Sequence, residues 1–239
     1  MIKQRLDQAL VKQGAVPTRS QAESFIRLGK VLVNKKVVTK AGTMVSETDV
    51  IVLTATEQYV SRAGLKLASV AQILKVDFRG KTVLDVGSST GGFTDYALRN
   101  GAEYVIAVDV GTNQLHPTLH GNPKIELHEQ TDIRDIKETS RPIDIVVIDV
   151  SFISLREILP TVARLSTKDT QVVAMVKPQF EAGNNAKHKG VIKNDRMRRD
   201  ILQDFEQWVR STYVIQDKAD SEVAGTKGNR ERFYLLKKS

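Results

Sequence analysis

The sequence predicts an α/β chain in which a doubly wound, mostly parallel sheet follows a small α+β module. Three observations carry this expectation. From about residue 60 onward, apolar runs of strand length alternate with helical segments, the signature of a doubly wound sheet. Thr82-Val83-Leu84-Asp85-Val86 runs into Gly87-Ser88-Ser89-Thr90-Gly91-Gly92-Phe93, which reads as a buried strand, a tight glycine turn and a helix start. The first 60 residues instead combine two short helical patterns with short β-branched runs.

Taken in order, residues 4–12 and 18–28 are expected to be helices. Leu6, Ala9 and Leu10 fall on one face, as do Ala22, Phe25 and Ile26. Pro17 and Thr18-Arg19-Ser20 mark the turn and cap of the second helix, and Gly29 can end it. Val31 to Val38 reads as a hairpin with its tip at Asn34-Lys35-Lys36, and Asp49 to Leu53 as a closing strand. The polar run Thr54 to Gln58 sets a boundary, giving one domain over 1–58 and a second over 59–239. A helix over roughly 62–76 precedes the first long strand. Strands are then expected at 82–86, 104–108, 125–128, 144–149, 171–176, 212–217 and 231–237. There is no internal repeat and no low-complexity tract.

Composition narrows the function classes. The 239 residues are enough for a full core and a small extra module. The absence of cysteine excludes disulfides, thiolate metal sites and a cysteine nucleophile. It is compatible with a reducing cytosol, and a cytoplasmic location is expected. No apolar run approaches the roughly 20 residues needed to span a bilayer, and Met1-Ile2-Lys3-Gln4-Arg5 lacks the apolar region of a signal peptide. Four scattered histidines make no metal site, so none is expected. The net charge of +8 is unevenly placed. Residues 1–60 hold nine Lys/Arg against five Asp/Glu, residues 181–239 hold thirteen against nine, and the middle is balanced. Basic ends beside a neutral middle suggest nucleic acid as substrate or docking surface.

In a doubly wound sheet, ligands sit beyond the carboxyl ends of the strands. Asp85, Asp109, Asp132 and Asp149 are all expected there. Glycines at 87 and 91 suggest close backbone approach to a ligand, because a Cβ there would collide with it. Asp109 is placed to hold a ribose diol, and Asp132 with the Ile133 backbone could receive an adenine amino group. The usual dinucleotide fingerprint is Gly-x-Gly-x-x-Gly, whereas this chain has Gly-x-x-x-Gly-Gly, so NAD is disfavoured. Asp85-x-Gly-x-x-x-Gly-Gly resembles the first motif of class I S-adenosylmethionine-dependent methyltransferases. That resemblance implies S-adenosyl-L-methionine as cofactor, held by Asp85, Gly87, Ser88, Gly91, Gly92, Phe93, Asp109, Val110, Asp132, Ile133 and Asp149. The alternative is a glycine turn with no ligand and acids that only cap helices.

Four further polar residues stand out. Lys177 ends the apolar run Val172 to Val176 and precedes Pro178; Asp149 ends Ile145 to Ile148. Lys66 follows Ser61-Arg62-Ala63-Gly64-Leu65, and Glu231 follows Gly228-Asn229-Arg230. Neighbouring strand ends would bring Asp149 and Lys177 to one crevice, where a lysine with an apolar stem can accept a proton. Glu181 is a rival for Glu231, and Arg230 and Arg232 could pair with Glu231 and reduce it to a structural role. In order, Lys66, Asp149, Lys177 and Glu231 resemble the Lys-Asp-Lys-Glu tetrad of FtsJ-like ribose 2′-O-methyltransferases. Val60 to Leu67, Asp149 to Leu155, Val176 to Glu181 and Gly228 to Glu231 are similar to the TlyA family of hemolysin-named ribosomal RNA methyltransferases. The resemblance implies a Rossmann-like class I methyltransferase sheet, parallel with one antiparallel strand. It also implies direct methyl transfer in which Lys177 takes or steers a ribose 2′-hydroxyl proton, Asp149 orients Lys177, and Lys66 and Glu231 position the hydroxyl.

Residues 4–52 resemble the S4 RNA-binding domain through Arg5-Leu6-Asp7, Thr18 to Ala22 and Ile26 to Asn34. Arg5, Arg19, Arg27 and Lys30, with Lys35 and Lys36 on the hairpin tip, would then track RNA phosphates. Phe25 is the lone aromatic in this module's helices, so backbone or shape reading of folded RNA is favoured over base stacking. Lys187-His188-Lys189-Gly190-Val191 reads as a loop that could close over the substrate. Two rival readings remain: a membrane-active hemolysin, which should need an insertion segment that the sequence does not display, and an RNA-binding ribosome assembly factor without turnover.

Overall fold

A computed structural model describes residues 3–55, 59–183, 191–192, 194–223 and 228–239. The loop expected at 187–191 lies almost wholly outside the described residues.

The N-terminal module is helical and stranded by turns. Strand β1 (Lys3–Arg5) leads into α1 (Leu6–Lys12), and α2 (Arg19–Arg27) packs beside it. The Thr18 hydroxyl accepts from the Gln21 N–H and so caps α2. Strands β2 (Val31–Val33), β3 (Lys36–Val37), β4 (Met44–Ser46) and β5 (Ile51–Leu53) follow. They form an antiparallel β3-β2-β5 sheet, and β1 pairs separately with β4. The hairpin turns on two residues, Asn34 and Lys35, both with positive φ (50° and 66°), the left-handed pair that suits the twist of its strands. Lys36 therefore belongs to β3 and not to the tip. The expected helix at 4–12 begins only at Leu6, because the backbone of 3–5 is committed to the ladder with β4. Leu6, Leu10, Ala22, Phe25, Ile26 and Val31 are buried, as their spacing requires.

The second unit is a seven-stranded sheet. Helix α3 (Arg62–Ala71) precedes β6 (Thr82–Val86), α4 (Gly92–Arg99), β7 (Tyr104–Val108), β8 (Ile125–His128) and β9 (Ile145–Ile148). Helix α5 (Leu155–Leu165), β10 (Gln171–Val176), the one-turn α6 (Pro178–Glu181), α7 (Asp195–Val209), β11 (Tyr213–Asp220) and β12 (Arg232–Lys238) complete it. Strand order is β11-β12-β10-β9-β6-β7-β8, with β12 antiparallel to both of its neighbours and the other pairings parallel. Helix α3 stops at Ala71, five residues before the expected end, because the chain reverses at Lys75 (φ 53°). Strand β11 runs on to Asp220 through an irregularity between Ile215 and Asp217.

Alternation along the strands builds two cores. Val83, Val105, Ile145, Val147 and Val173 face one side, joined by Leu67 and Val70 of α3 and Phe93 and Ala97 of α4. Leu84, Ile106, Val146, Ile148 and Val172 face the other, with Leu159 of α5 and Phe205 of α7. The first core continues into the buried residues of the N-terminal module.

Candidate active site

Register places the functional side chains. Ile148 pairs with Val86 and with Ala174, so the residues beyond β6, β9 and β10 emerge side by side. Arg232 of the antiparallel β12 pairs with Val176, which brings Glu231 to the same end as Lys177. Beyond these ends lies a cleft with two halves. One, of about 380 Å³, has apolar walls including Val108, Val110, Ile133 and Ile158, with Asp109 and Asp132 among its polar groups. The other, of about 270 Å³, is lined by Lys66, Asp85, Ser88, Asp149 and Lys177. Gly87, Ser89, Asp149 and Ser151 border both.

Two ion pairs dominate the polar half. Lys177 Nζ lies 2.6 Å from Asp149 Oδ1, with side chains 9% and 15% exposed. Lys66 Nζ lies 2.5 Å from Glu231 Oε2, with side chains 9% and 3% exposed. Lys177 also donates to Ser151 Oγ at 2.7 Å, and its amine sits 5.9 Å from the centre of the Phe180 ring. Charges this buried persist only when paired.

The rivalry between the two glutamates resolves geometrically. Glu181 Oε1 accepts the Leu155 N–H at 2.7 Å, and Ser154 Oγ donates to Oε2 at 2.5 Å. Burial pushes its carboxyl above the ordinary range, against these hydrogen bonds. It ties α6 to the start of α5 and makes no pair with Lys66. Nor do the arginines beside Glu231 take it: Arg230 pairs with Asp195 and Arg232 with Asp220. The buried Arg198 donates to Arg230 O and to Asp220, which fixes the strand entry that carries Glu231.

Asp85 is fully buried within β6 and accepts from Thr94 Oγ1 at 2.7 Å. Burial pushes its carboxyl up to about 7, reinforced by the negative charge of Asp149. Its Oδ1 and the Ser88 Oγ are buried without a hydrogen-bond partner among the described residues. Such atoms fit a ligand that brings an amino group into the polar half. Asp109 accepts the Ser89 N–H and the Gly111 N–H, one on each oxygen, and keeps further lone pairs toward the cleft. Asp132 is bound by Arg134 in a two-pronged contact that holds its carboxyl low, so an adenine amino group would have to share it.

The glycines need a different reason from the one expected. A Cβ on Gly87 (φ +80°) would meet Asp149 O at 2.6 Å, and one on Gly91 (φ +83°) would meet Leu119 Cδ1 at 2.5 Å and Leu115 Cδ1 at 2.7 Å. The close approach is to the protein itself. A Cβ on Gly92 would meet Ser61 Oγ, Ala63 Cβ at 2.7 Å and Gly64 N at 2.9 Å, so α3 and α4 meet nearly backbone to backbone.

In the N-terminal module, Arg5 and Arg19 converge on Asp7, which has no exposed side-chain surface. Arg27, Lys30, Lys35 and Lys36 are exposed along the end of α2 and the hairpin. Two residues escaped the sequence reading as site residues: Ser151, which meets Lys177, and Phe152. Phe152 is 91% exposed, has φ 67°, borders the cleft, and packs its ring 5.3 Å from that of Phe180. Their signal was membership of the Asp149 to Leu155 stretch that carries the family resemblance.

With this geometry in place, comparisons with known proteins are specific. The family model for FtsJ-like methyltransferases matches residues 59–238, and that for the S4 domain matches residues 4–51. A Campylobacter jejuni protein named 23S rRNA (cytidine-2′-O)-methyltransferase TlyA is 40% identical over 77% of this chain and 72% of its own. A Mycobacterium tuberculosis protein named 16S/23S rRNA (cytidine-2′-O)-methyltransferase TlyA is 34% identical over 98% and 89%. A Brachyspira hyodysenteriae protein named Hemolysin A is 34% identical over 95% and 97%. No helix among the described residues is long and apolar enough to cross a membrane.

Proposed function

Because the chain belongs to the FtsJ-like methyltransferase family and carries an S4 domain ahead of it, we propose that it transfers a methyl group from S-adenosylmethionine to ribose 2′-hydroxyls of ribosomal RNA. The observation that supports this most is the pair of buried lysine–carboxylate contacts, Lys177–Asp149 and Lys66–Glu231, of which Lys66, Asp149 and Lys177 line one polar cleft and Glu231 stands behind Lys66.

The apolar half, with Asp109 and Asp132 at its rim, would hold the adenosine moiety. Asp85 and Ser88 would hold the amino end, since each has a buried atom in need of a partner. When bound, the cofactor supplies a methyl carbon already activated by a positively charged sulfur. Asp149 borders both halves, so its carboxylate favours that positive charge between them. Lys177, fixed by Asp149 and Ser151, would take or steer the 2′-hydroxyl proton. Lys66, its charge balanced by the buried Glu231, would help position the hydroxyl. The exposed Phe152 ring would offer a face to the base, as RNA-reading sites do. Much of the rate would come from holding the reacting groups in line. Dependence on the 2′-hydroxyl would make RNA, and not DNA, the substrate. Arg5, Arg19, Arg27, Lys30, Lys35 and Lys36 would anchor the RNA through its phosphates.

Transfer of labelled methyl from S-adenosylmethionine to unmodified ribosomal RNA, followed by alkaline digestion, tests this. Label in an alkali-resistant dinucleotide is expected. Label confined to bases would overturn the assignment of the four residues.

A further inference from the structure

Two loops beyond the sheet carry the groups that would act on the ribose. The loop from β9 to α5 holds Asp149, Ser151 and Phe152, and the turn from β10 into α6 brings Lys177 and Phe180. Contacts join them at the cleft: Lys177 with Asp149, Lys177 with Ser151, and the Phe152 ring with that of Phe180. Another contact lies behind the cleft. Glu181 lines neither half of it, and its side chain is 1% exposed. It belongs to α6 yet grips the start of α5 with both oxygens, through the Leu155 N–H and the Ser154 hydroxyl. Ser154 in turn caps α5 by accepting the Arg156 N–H at 3.1 Å, and the Arg156 guanidinium reaches Asp204 of α7 at 2.6 Å. The clasp is thus anchored in two packed helices rather than in the loops themselves.

We infer that Glu181 is a positioning residue for methyl transfer: its hold on the start of α5 fixes the place of the Lys177 amine against Asp149 and Ser151. The inference rests on the methyl-transfer reading. The cleft-side contacts cannot do this alone, because an entering ribose and a proton passing to Lys177 would disturb them. The Glu181 clasp stays outside both events. Glu181 stands one helical turn beyond Lys177, and the link between them is stiff. Pro178 fixes its own φ, and the Phe180 N–H bonds back to Lys177 O at 2.9 Å. A shift of α6 therefore carries Lys177 with it. Displacing a reacting group by about 1 Å can lower a rate about a hundredfold, and side chains that lock such a group from behind set that precision.

The test separates reach from charge. Glu181→Gln keeps both arms, because its amide can donate to Ser154 Oγ while its oxygen accepts the Leu155 N–H; Arg156, 3.8 Å from the carboxylate, keeps Asp204. Glu181→Asp keeps the charge but is a carbon too short for both arms, and Glu181→Ala removes them. Single-turnover methylation of unmodified ribosomal RNA is measured beside RNA and S-adenosylmethionine affinities and a melting curve. Acetylation of Lys177 by an N-hydroxysuccinimide ester, read by mass spectrometry, reports whether its amine still pairs with Asp149. Glu181→Gln is expected to keep close to the unaltered rate. The Asp and Ala variants should bind both ligands yet lose about tenfold or more in rate. Their Lys177 should acetylate several times faster, since an amine without its carboxylate gives up its proton more readily. In a Lys177→Met background, Glu181→Asp should cost less than about twofold further, because both act through one group. Unaltered rates in the folded Asp and Ala variants would overturn the inference. So would loss in Glu181→Gln with retention in Glu181→Asp, which would make charge and not the clasp the agent. Should Glu181→Ala not fold, the Gln and Asp pair decides. Absence of methyl transfer by the unaltered chain would sink the methyl-transfer reading instead, while the acetylation rates still decide whether Glu181 holds Lys177 in place.

Discussion

Asp85 offers a prediction whose size can be worked from the structure. Its carboxyl is fully buried, and burial raises it from an ordinary 3.8 to about 7 in the folded chain. For a group raised on folding, the folded state keeps a proton that the unfolded state has lost. Stability is therefore fully present below about 4 and declines as pH rises through 7. A shift of about 3 units at 1.36 kcal/mol each amounts to roughly 4 kcal/mol, an upper value because the cleft admits water. Asp85→Asn keeps the shape and the contact with Thr94 but removes the titration. Urea denaturation of both proteins between pH 4 and pH 9 measures the difference. The unaltered chain should lose up to about 4 kcal/mol relative to the variant between pH 4 and pH 8, then level off. Saturating S-adenosylmethionine should shrink that loss, because its ammonium favours the ionised carboxylate, and the variant should bind the cofactor more weakly. A stability difference that does not vary with pH would refute the reasoning, as would one that favours the unaltered chain at high pH.

Two further outcomes follow from the packing. Gly92→Ala would press a methyl against Ser61 Oγ, Ala63 Cβ and the Gly64 N–H; separating α3 from α4 should cost about 1–3 kcal/mol and displace Lys66, read as a lower melting temperature and reduced methyl transfer. Asp7→Asn should cost about 1–3 kcal/mol by leaving Arg5 and Arg19 without their buried partner. The Arg5 hydrogen bond, aided by Arg19, holds the Asp7 carboxyl below its usual range. Its contribution is thus present above the unfolded pKa and lost as pH falls through the folded one, so the two proteins should converge in acid.

The sheet was legible because its strands are long and apolar and end abruptly at charged residues. Asp149 and Lys177 stop runs of four and five buried residues, and parallel register then sets them side by side. Strands β1 and β4 were not legible. Each has three residues, they pair across some forty positions, and neither alternates clearly. The end of α3 was missed because only the left-handed backbone at Lys75 stops it, and lysine carries no such signal. Gly87 and Gly91 both adopt positive φ, and which atoms press on them depends on loops distant in sequence, at Asp149, Leu115 and Leu119. The Gly-Asn-x-Glu context already favoured Glu231 over Glu181; the contacts that separate them, one capping α5 and the other meeting Lys66, lie in three dimensions. The exposure of Phe152 could not be read from an apolar residue in an apolar stretch.

Lys177 is proposed to act on the substrate and not merely to fill charge space. Lys177→Met keeps the apolar stem and removes the amine, and single-turnover methylation of unmodified ribosomal RNA is measured beside RNA and S-adenosylmethionine affinities. A rate lowered by about a hundredfold or more, with both ligands still bound, is the predicted result. Methylation at near the original rate by a folded Lys177→Met protein would contradict it.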